Sequence, residues 1–98
     1  MENLEKNLLT SFQQEIDQFR REEIERKRPT VHLMSESFNV TELTDYDRLI
    51  WEKIKNETIT FEEFSKYRSE VTQDSNQSRL TFMAMAANKA MVPLNKKY

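Results

Sequence analysis

The chain of 98 residues contains no glycine. An average protein has roughly 7 % glycine, and this residue supplies the positive-φ positions of tight hairpins and phosphate-binding loops. A glycine-rich nucleotide loop, a nucleophile elbow and a dinucleotide-binding fingerprint are therefore excluded. The sequence instead favours helices that are joined by turns of Asn, Asp, Ser and Thr. We predict an all-α fold.

Cysteine is also absent, which excludes disulfide bonds, thiolate catalysis and cysteine-based zinc or iron–sulfur sites. No apolar run approaches the roughly 18 residues that a membrane-spanning helix needs. The chain starts with acidic residues and has no apolar segment typical of a signal peptide. We therefore expect a cytoplasmic protein that does not enter a membrane. The net charge of −2 gives no overall attraction to nucleic acid.

Side chains that could carry out catalysis or bind a metal do not occur in a recognisable combination. His32 is the only histidine, and no nucleophile or further ligand stands at an informative spacing from it. The acidic pairs Glu22–Glu23 and Glu62–Glu63 fall where solvated helix faces or helix starts are expected. We predict that the protein is not an enzyme. We also predict no catalytic residue, no metal site, no cofactor and no small-molecule substrate.

Apolar periodicity divides a single domain of 98 residues into a long N-terminal helix, an extended strap and a compact three-helix unit. Residues 3–28 repeat apolar side chains at helical spacing, and Pro29 ends this helix. Residues 29–41 have no helical period and predict an extended strap or linker. Residues 42–92 predict the three-helix unit, and residues 93–98 predict a short frayed tail.

Two capping boxes mark the first two helix starts of the three-helix unit. Thr44 is followed by Asp47, and Thr60 is followed by Glu63, which is the spacing of reciprocal side-chain-to-backbone hydrogen bonds. A turn is expected over residues 72–75, with Asp74 or Ser75 as the cap of the final helix. This final helix is predicted to start near residue 76 and to end before Pro93.

The final helix is apolar on more than one side. One broad face is formed by Leu80, Met83, Ala84, Ala87, Ala90 and Met91. We expect this face to pack on the rest of the domain, which turns Phe82 and Met85 outward on nearly the opposite side, close to Lys89. Such a helix is enclosed by its own domain or by a partner. The sequence leaves both alternatives open.

We interpret the chain as a protein-binding module, such as a regulator, adaptor or inhibitor, that acts through an apolar helix surface. The residues predicted to bind the partner are Phe82, Met85, Lys89 and Trp51. We expect Trp51 to be substantially buried, whereas an exposed Trp51 would be an anchor for the partner. The partner is a different protein or a second copy of the chain. By analogy with other small glycine-poor helical proteins, we expect an accessory protein of a phage or plasmid.

The alternative interpretation is a DNA-binding regulator with a helix-turn-helix formed by residues 60–91. The final helix opens with Asn76, Gln77, Ser78 and Arg79. These residue types read base edges from the first turns of a recognition helix. Against this interpretation, the turn lacks glycine, Glu70 and Asp74 flank it, and Arg79 is the one cation of the reading turn. Nucleic acid is therefore the less favoured partner.

Overall fold

A computed structural model of the chain describes residues 2–26 and 40–97. This part of the chain contains four α-helices, a single turn of 3-10 helix and no β-strand. The helices are α1 (Glu2–Arg26), α2 (Asp45–Lys55), α3 (Phe61–Asp74) and α4 (Gln77–Lys97), and the 3-10 helix (Val40–Glu42) precedes α2. The prediction of an all-α fold is confirmed. None of the four helices is long and apolar enough to cross a membrane.

Helix α1 follows the predicted long N-terminal helix as far as Arg26. Most of the predicted strap, including His32, lies outside the described residues. The end of the strap differs from the prediction, because Val40–Glu42 forms a 3-10 helix instead of an extended segment. Val40 is buried, and its backbone N–H donates to Oε1 of Gln13 in α1 at 3.2 Å. This contact docks the end of the strap on the long helix.

Both predicted capping boxes are confirmed. The Thr44 hydroxyl accepts from the backbone N–H of Asp47 at 3.2 Å, and the Asp47 carboxylate accepts from the backbone N–H of Thr44 at 2.7 Å. The same reciprocal pair joins Thr60 and Glu63, with both distances at 3.1 Å. These bonds satisfy amide groups that have no partner within the first turn of a helix. They fix where α2 and α3 begin.

The connection between α3 and α4 is shorter than the sequence predicts. Helix α3 continues to Asp74, and only Ser75 and Asn76 separate it from α4. Ser75 takes the left-handed conformation with φ of 59°, which glycine usually occupies at a helix C-terminus. Asn76, and not Asp74 or Ser75, caps α4, because its side-chain oxygen accepts from the backbone N–H of Arg79 at 3.2 Å.

Helix α4 continues through Pro93 to Lys97, which differs from the predicted helix end before Pro93 and from the predicted tail. A proline inside a helix cannot donate to the carbonyl four residues earlier. Here that loss is confined to the last turns of the helix. The ring of Pro93 is buried, so apolar burial stabilises the residue in this position.

The hydrophobic core surrounds α4, and all three other helices contribute side chains to this core. The ring centroid of Phe82 in α4 lies 6.1 Å from that of Phe12 in α1 and 5.6 Å from that of Trp51 in α2. Tyr67 and Val71 of α3 are fully buried in the same cluster. The long helix therefore packs directly on the three-helix unit, and α4 is a central core helix.

Candidate protein-binding surface

Phe82 and Met85, the centre of the predicted partner-binding surface, are both 0 % exposed. This placement is contrary to the expectation that they face outward. The aromatic side chain of Phe82 is larger than the alanines on the other side of α4, and it packs edge-on against Phe12 of α1. The long helix thus covers the side of α4 that the sequence analysis assigned to a partner.

Trp51 is 0 % exposed, which confirms the expected burial. Its indole N–H donates to Oε1 of Glu15 in α1 at 2.8 Å, so the one polar atom of the ring is satisfied. The ammonium of Lys89 lies 5.3 Å from the Trp51 ring centroid and 5.1 Å from that of Phe19. Lys89 is therefore held over two aromatic rings by cation–π attraction. The structure brings the predicted residues together as core and not as an open surface.

The four residues of the proposed DNA-reading turn are all used within the chain. Asn76 caps α4, the Gln77 amide donates to the Thr81 hydroxyl at 3.4 Å, and the Ser78 hydroxyl donates to Glu42. Arg79, the cation of this turn, is only 8 % exposed. Asn76 and Gln77 remain exposed, but the one cation of the turn is buried and is not available to phosphates or base edges.

Arg79 belongs to a buried polar network that the sequence analysis missed. Its Nε atom lies 3.0 Å and 3.2 Å from the two carboxylate oxygens of Asp47, and its Nη1 atom lies 2.9 Å from Asp74. Burial opposes the charge of Arg79, but the hydrogen bonds to Asp47 and Asp74 outweigh it and raise the pKa of the guanidinium. The arginine is therefore a fixed structural cation.

The carboxylate of Asp47 is completely buried at the centre of this network. It accepts from the Tyr67 hydroxyl at 2.6 Å and from the Thr44 backbone at 2.7 Å, in addition to Arg79. Burial, followed by the hydrogen bond to Asp47, raises the pKa of Tyr67. Both carboxylate oxygens are thus occupied by donors from the N-cap of α2, from α3 and from α4. The network ties these helices together and offers no reactive group.

The acidic pairs behave differently from one another. Glu23 is buried, contrary to the expected solvated face, and accepts from Arg26 at 3.3 Å. Glu63 forms an ion pair with Lys53, and the hydrogen bond from Lys53 lowers the pKa of Glu63. A general acid needs a raised pKa instead. Within residues 2–26 and 40–97, no group of His, Cys, Asp or Glu side chains could hold a metal ion.

A partly buried apolar surface lies on the opposite side of α4 from Phe82, and Leu80, Met83, Ala87 and Leu94 of this surface pack against the core. We name this surface the outer stripe, and its members are Leu80, Met83, Ala84, Ala87, Met91 and Leu94. The sequence predicts that a face of Leu80, Met83, Ala84, Ala87, Ala90 and Met91 packs on the domain. Ala90 is fully buried, and Leu80, Met83 and Ala87 pack partly buried against the core, whereas Met91 is 50 % exposed. The residues recur every three or four positions and therefore follow one side of the helix.

A groove opens where the outer stripe reaches the start of α3. Phe61, Met91 and Leu94 form its apolar lining, Glu62 and Asn95 complete it, and its volume is about 470 Å³. Phe61 is 59 % exposed because the capping box begins α3 at this residue, while Phe64, Tyr67 and Val71 occupy the inner face. We call this feature the Phe61 groove. The sequence feature that could have indicated this groove is a phenylalanine at the first position of a capped helix.

Comparison of the chain with known protein families, with curated proteins and with solved structures finds no match.

Proposed function

We propose that the chain is a non-enzymatic protein-binding module that receives an apolar helix of a partner protein in the Phe61 groove. The observation that carries this proposal is the pair of large apolar side chains, Phe61 and Met91, that are each at least half exposed in one concave site. The volume of the groove lies within the range of about 300–1,000 Å³ that is common for ligand sites. Covering such side chains provides the main driving force for association.

The outer stripe favours a helix over a small molecule as the occupant of the groove. The stripe extends from Leu80 to Leu94 along α4, a distance of about 21 Å at the rise of an α-helix. Its members Leu80, Met83, Ala87 and Leu94 pack partly against the core and leave part of their surface open to a partner. An elongated apolar strip of this length suits a partner helix that presents apolar residues at positions i, i+3 or i+4, and i+7. The small side chains of Ala84 and Ala87 in the middle of the stripe allow such a helix to approach closely.

The proposal keeps the interpretation of the chain as a cytoplasmic regulator, adaptor or inhibitor that a phage or plasmid encodes. A module of this kind acts by occupying a helix on its partner or by holding two proteins together. The DNA-binding alternative is not proposed, since the side chains of Asn76, Gln77, Ser78 and Arg79 are engaged within the chain.

Site-specific photo-crosslinking tests the proposal. A benzophenone amino acid replaces Phe61 in one variant and Leu49 in a control variant, because Leu49 is 52 % exposed on α2, away from the groove. In extracts of the source organism, we expect a discrete protein adduct from position 61 and none from position 49. An adduct between two copies of the chain would show that a second copy, and not a different protein, occupies the groove. Absence of adducts from position 61, or the same adducts from both positions, contradicts the proposal.

A further inference from the structure

We infer that α1 is an exchangeable helix. The three-helix unit of α2, α3 and α4 accepts the α1 of a second copy in place of its own, and each copy gives and receives one helix in a closed dimer. In the structure α1 covers the face of the unit that carries Phe82 and Trp51, so an occupant that fits this face is known. The inference goes beyond the proposed function and does not rest on the Phe61 groove.

One face of α1 makes the contacts that identify it as the occupant. Phe12 packs on Phe82 of α4, with the ring centroids 6.1 Å apart. Further along the helix, Phe19 packs edge-on against Trp51 of α2 at 5.5 Å. Between these rings, the Glu15 carboxylate accepts from the Trp51 indole N–H at 2.8 Å. Exchange breaks these contacts within one copy and forms them again between two copies, so it costs little in contact energy.

The three-helix unit has a buried polar network that holds it together when α1 leaves. The Asp47 carboxylate of α2 accepts from the Tyr67 hydroxyl of α3 and from the Arg79 guanidinium of α4. Only residues 75–76 separate α3 from α4, so these two helices stay paired. Release of α1 uncovers Phe82 without breaking the network, which favours the opening of α1 as a separate unit over complete unfolding.

The ion pair between α1 and α2 is open to water. Nζ of Lys55 lies 3.1 Å from the Glu15 carboxylate, and these side chains are 33 % and 36 % exposed. Such a partly exposed ion pair contributes little to stability because water solvates both charges. Apolar contacts therefore provide most of the hold on α1, and the α1 of a second copy supplies the same contacts.

The connection between α1 and the unit has the length that exchange needs. The Val40 backbone, at its end, donates to Gln13, and Arg26 lies about 20 Å further along α1 at the helical rise. A chain as long as residues 27–39 reaches at most roughly 45 Å, so α1 can lie on its own unit or on a second one. A linked helix has an effective concentration on the order of 1 mM at its own unit, so we expect mainly monomer at micromolar concentrations and exchanged dimer near 1 mM.

Cross-linking between two variants of the full chain tests the exchange, since no natural cysteine competes. Glu22→Cys on α1 and Glu57→Cys after α2 are suitable because both residues are exposed and line one groove. The two variants are mixed, equilibrated and treated with a short bismaleimide, and mass spectrometry identifies the linked peptides. We expect adducts between different chains that join positions 22 and 57 near 1 mM, and at least about tenfold fewer at roughly 10 μM.

Glu70→Cys replaces Glu57→Cys in the matched control, since Glu70 is exposed on α3 and lies outside that groove. We expect this pair to give no adduct between chains. Equal yields from the two pairs overturn the inference, as does the lack of an adduct between positions 22 and 57 at the high concentration. The proposed function is read from position 61 instead, so either proposal can fail alone.

Deletion of residues 28–38 should make the exchange obligatory. The two residues that remain between Arg26 and Val40 bridge at most about 11 Å, which is too short for the return of roughly 20 Å along α1. Light scattering should show a dimer at micromolar concentration, with the emission of a buried Trp51. A chain in which Gly and Ser replace residues 28–38 at equal length is the control and should remain monomeric. A shortened chain that stays monomeric, or whose Trp51 emission is that of a hydrated indole, overturns the inference.

Discussion

The guanidinium of Arg79 and the carboxylate of Asp47 meet in the interior, with Nε 3.0 Å and 3.2 Å from the two carboxylate oxygens. The two residues lie on α4 and α2, and the Tyr67 hydroxyl of α3 donates to the same carboxylate. A buried charge is costly without an opposite charge and hydrogen bonds, and here both are present. The pair therefore fixes the register of three helices relative to one another.

Removing the charge of Asp47 should strongly destabilise the fold. Asp47→Asn leaves the buried guanidinium of Arg79 with Asp74 as its remaining acidic partner, and Asp74 is half exposed. We expect the free energy of unfolding to fall by about 3 kcal/mol. Urea denaturation measures the change. Asp45→Asn is the control, since Asp45 is an exposed partner of Arg48, and its loss should stay within about 0.5 kcal/mol. Equal losses in the two variants would contradict the assigned role of the buried pair.

Alkaline pH should unfold the protein through Tyr67. Burial and the hydrogen bond to Asp47 raise the pKa of Tyr67 in the folded state, whereas the unfolded chain releases this proton near pH 10. Below that pH the contribution of Tyr67 to stability is fully present. Above it, the unfolded state binds fewer protons than the folded state, so the free energy of unfolding falls by up to about 1.4 kcal/mol per pH unit. Urea midpoints that are measured across this range should show a flatter decline in Tyr67→Phe. An unchanged slope in that variant would contradict this prediction.

Glycine at position 75 should stabilise a chain that has none. Ser75 adopts a left-handed φ of 59°, a conformation that is unfavourable for a residue with a Cβ atom. We expect Ser75→Gly to raise the free energy of unfolding by about 0.5 kcal/mol. The same substitution at Ser69, an exposed residue within α3, should lower it by about 0.5 kcal/mol. Thermal denaturation compares the two variants, and a change of the same sign in both would disprove this explanation.

Truncation of Phe82 should be far more damaging than truncation of Phe61. Phe82 contacts Phe12 and Trp51 in the core, so Phe82→Ala should cost about 3–5 kcal/mol, and Phe82→Asp should unfold the chain. Phe61→Ala removes a largely exposed ring and should change stability by less than about 1 kcal/mol. The fluorescence of Trp51, the single tryptophan, follows unfolding in both variants. Retention of the native fold by Phe82→Asp would show that the core is assigned incorrectly.

Features that depend on neighbouring residues could be predicted from the sequence. The capping boxes at Thr44 and Thr60 are local hydrogen-bond patterns, so their spacing sufficed to place the starts of α2 and α3. The burial of Trp51 followed from its large apolar area beside an apolar helix face. The absence of glycine and the helical periodicity were enough for the all-α class.

Features that depend on distant residues could not be predicted. Apolar residues surround α4, so periodicity alone did not decide between Phe82 and the outer stripe as its inner side. That choice depends on Phe12, which lies on a helix at the other end of the sequence. Arg79 looked like a solvated cation because its partner Asp47 belongs to another helix, and each charge is stable inside only with the other. The Phe61 groove forms where Met91 and Leu94, on the side of α4 away from Phe82, meet the start of α3.

The central position of α4 affects how the chain folds during its synthesis. Phe82 leaves the ribosome long after Phe12, Phe19 and Trp51, since translation proceeds at about 5–20 residues per second. During that interval the apolar faces of α1 and α2 have no α4 on which to pack. Early helices with uncovered apolar faces are prone to aggregate or to bind chaperones. A nascent chain that is arrested before α4 emerges is therefore more prone to aggregate or to bind chaperones than the finished protein.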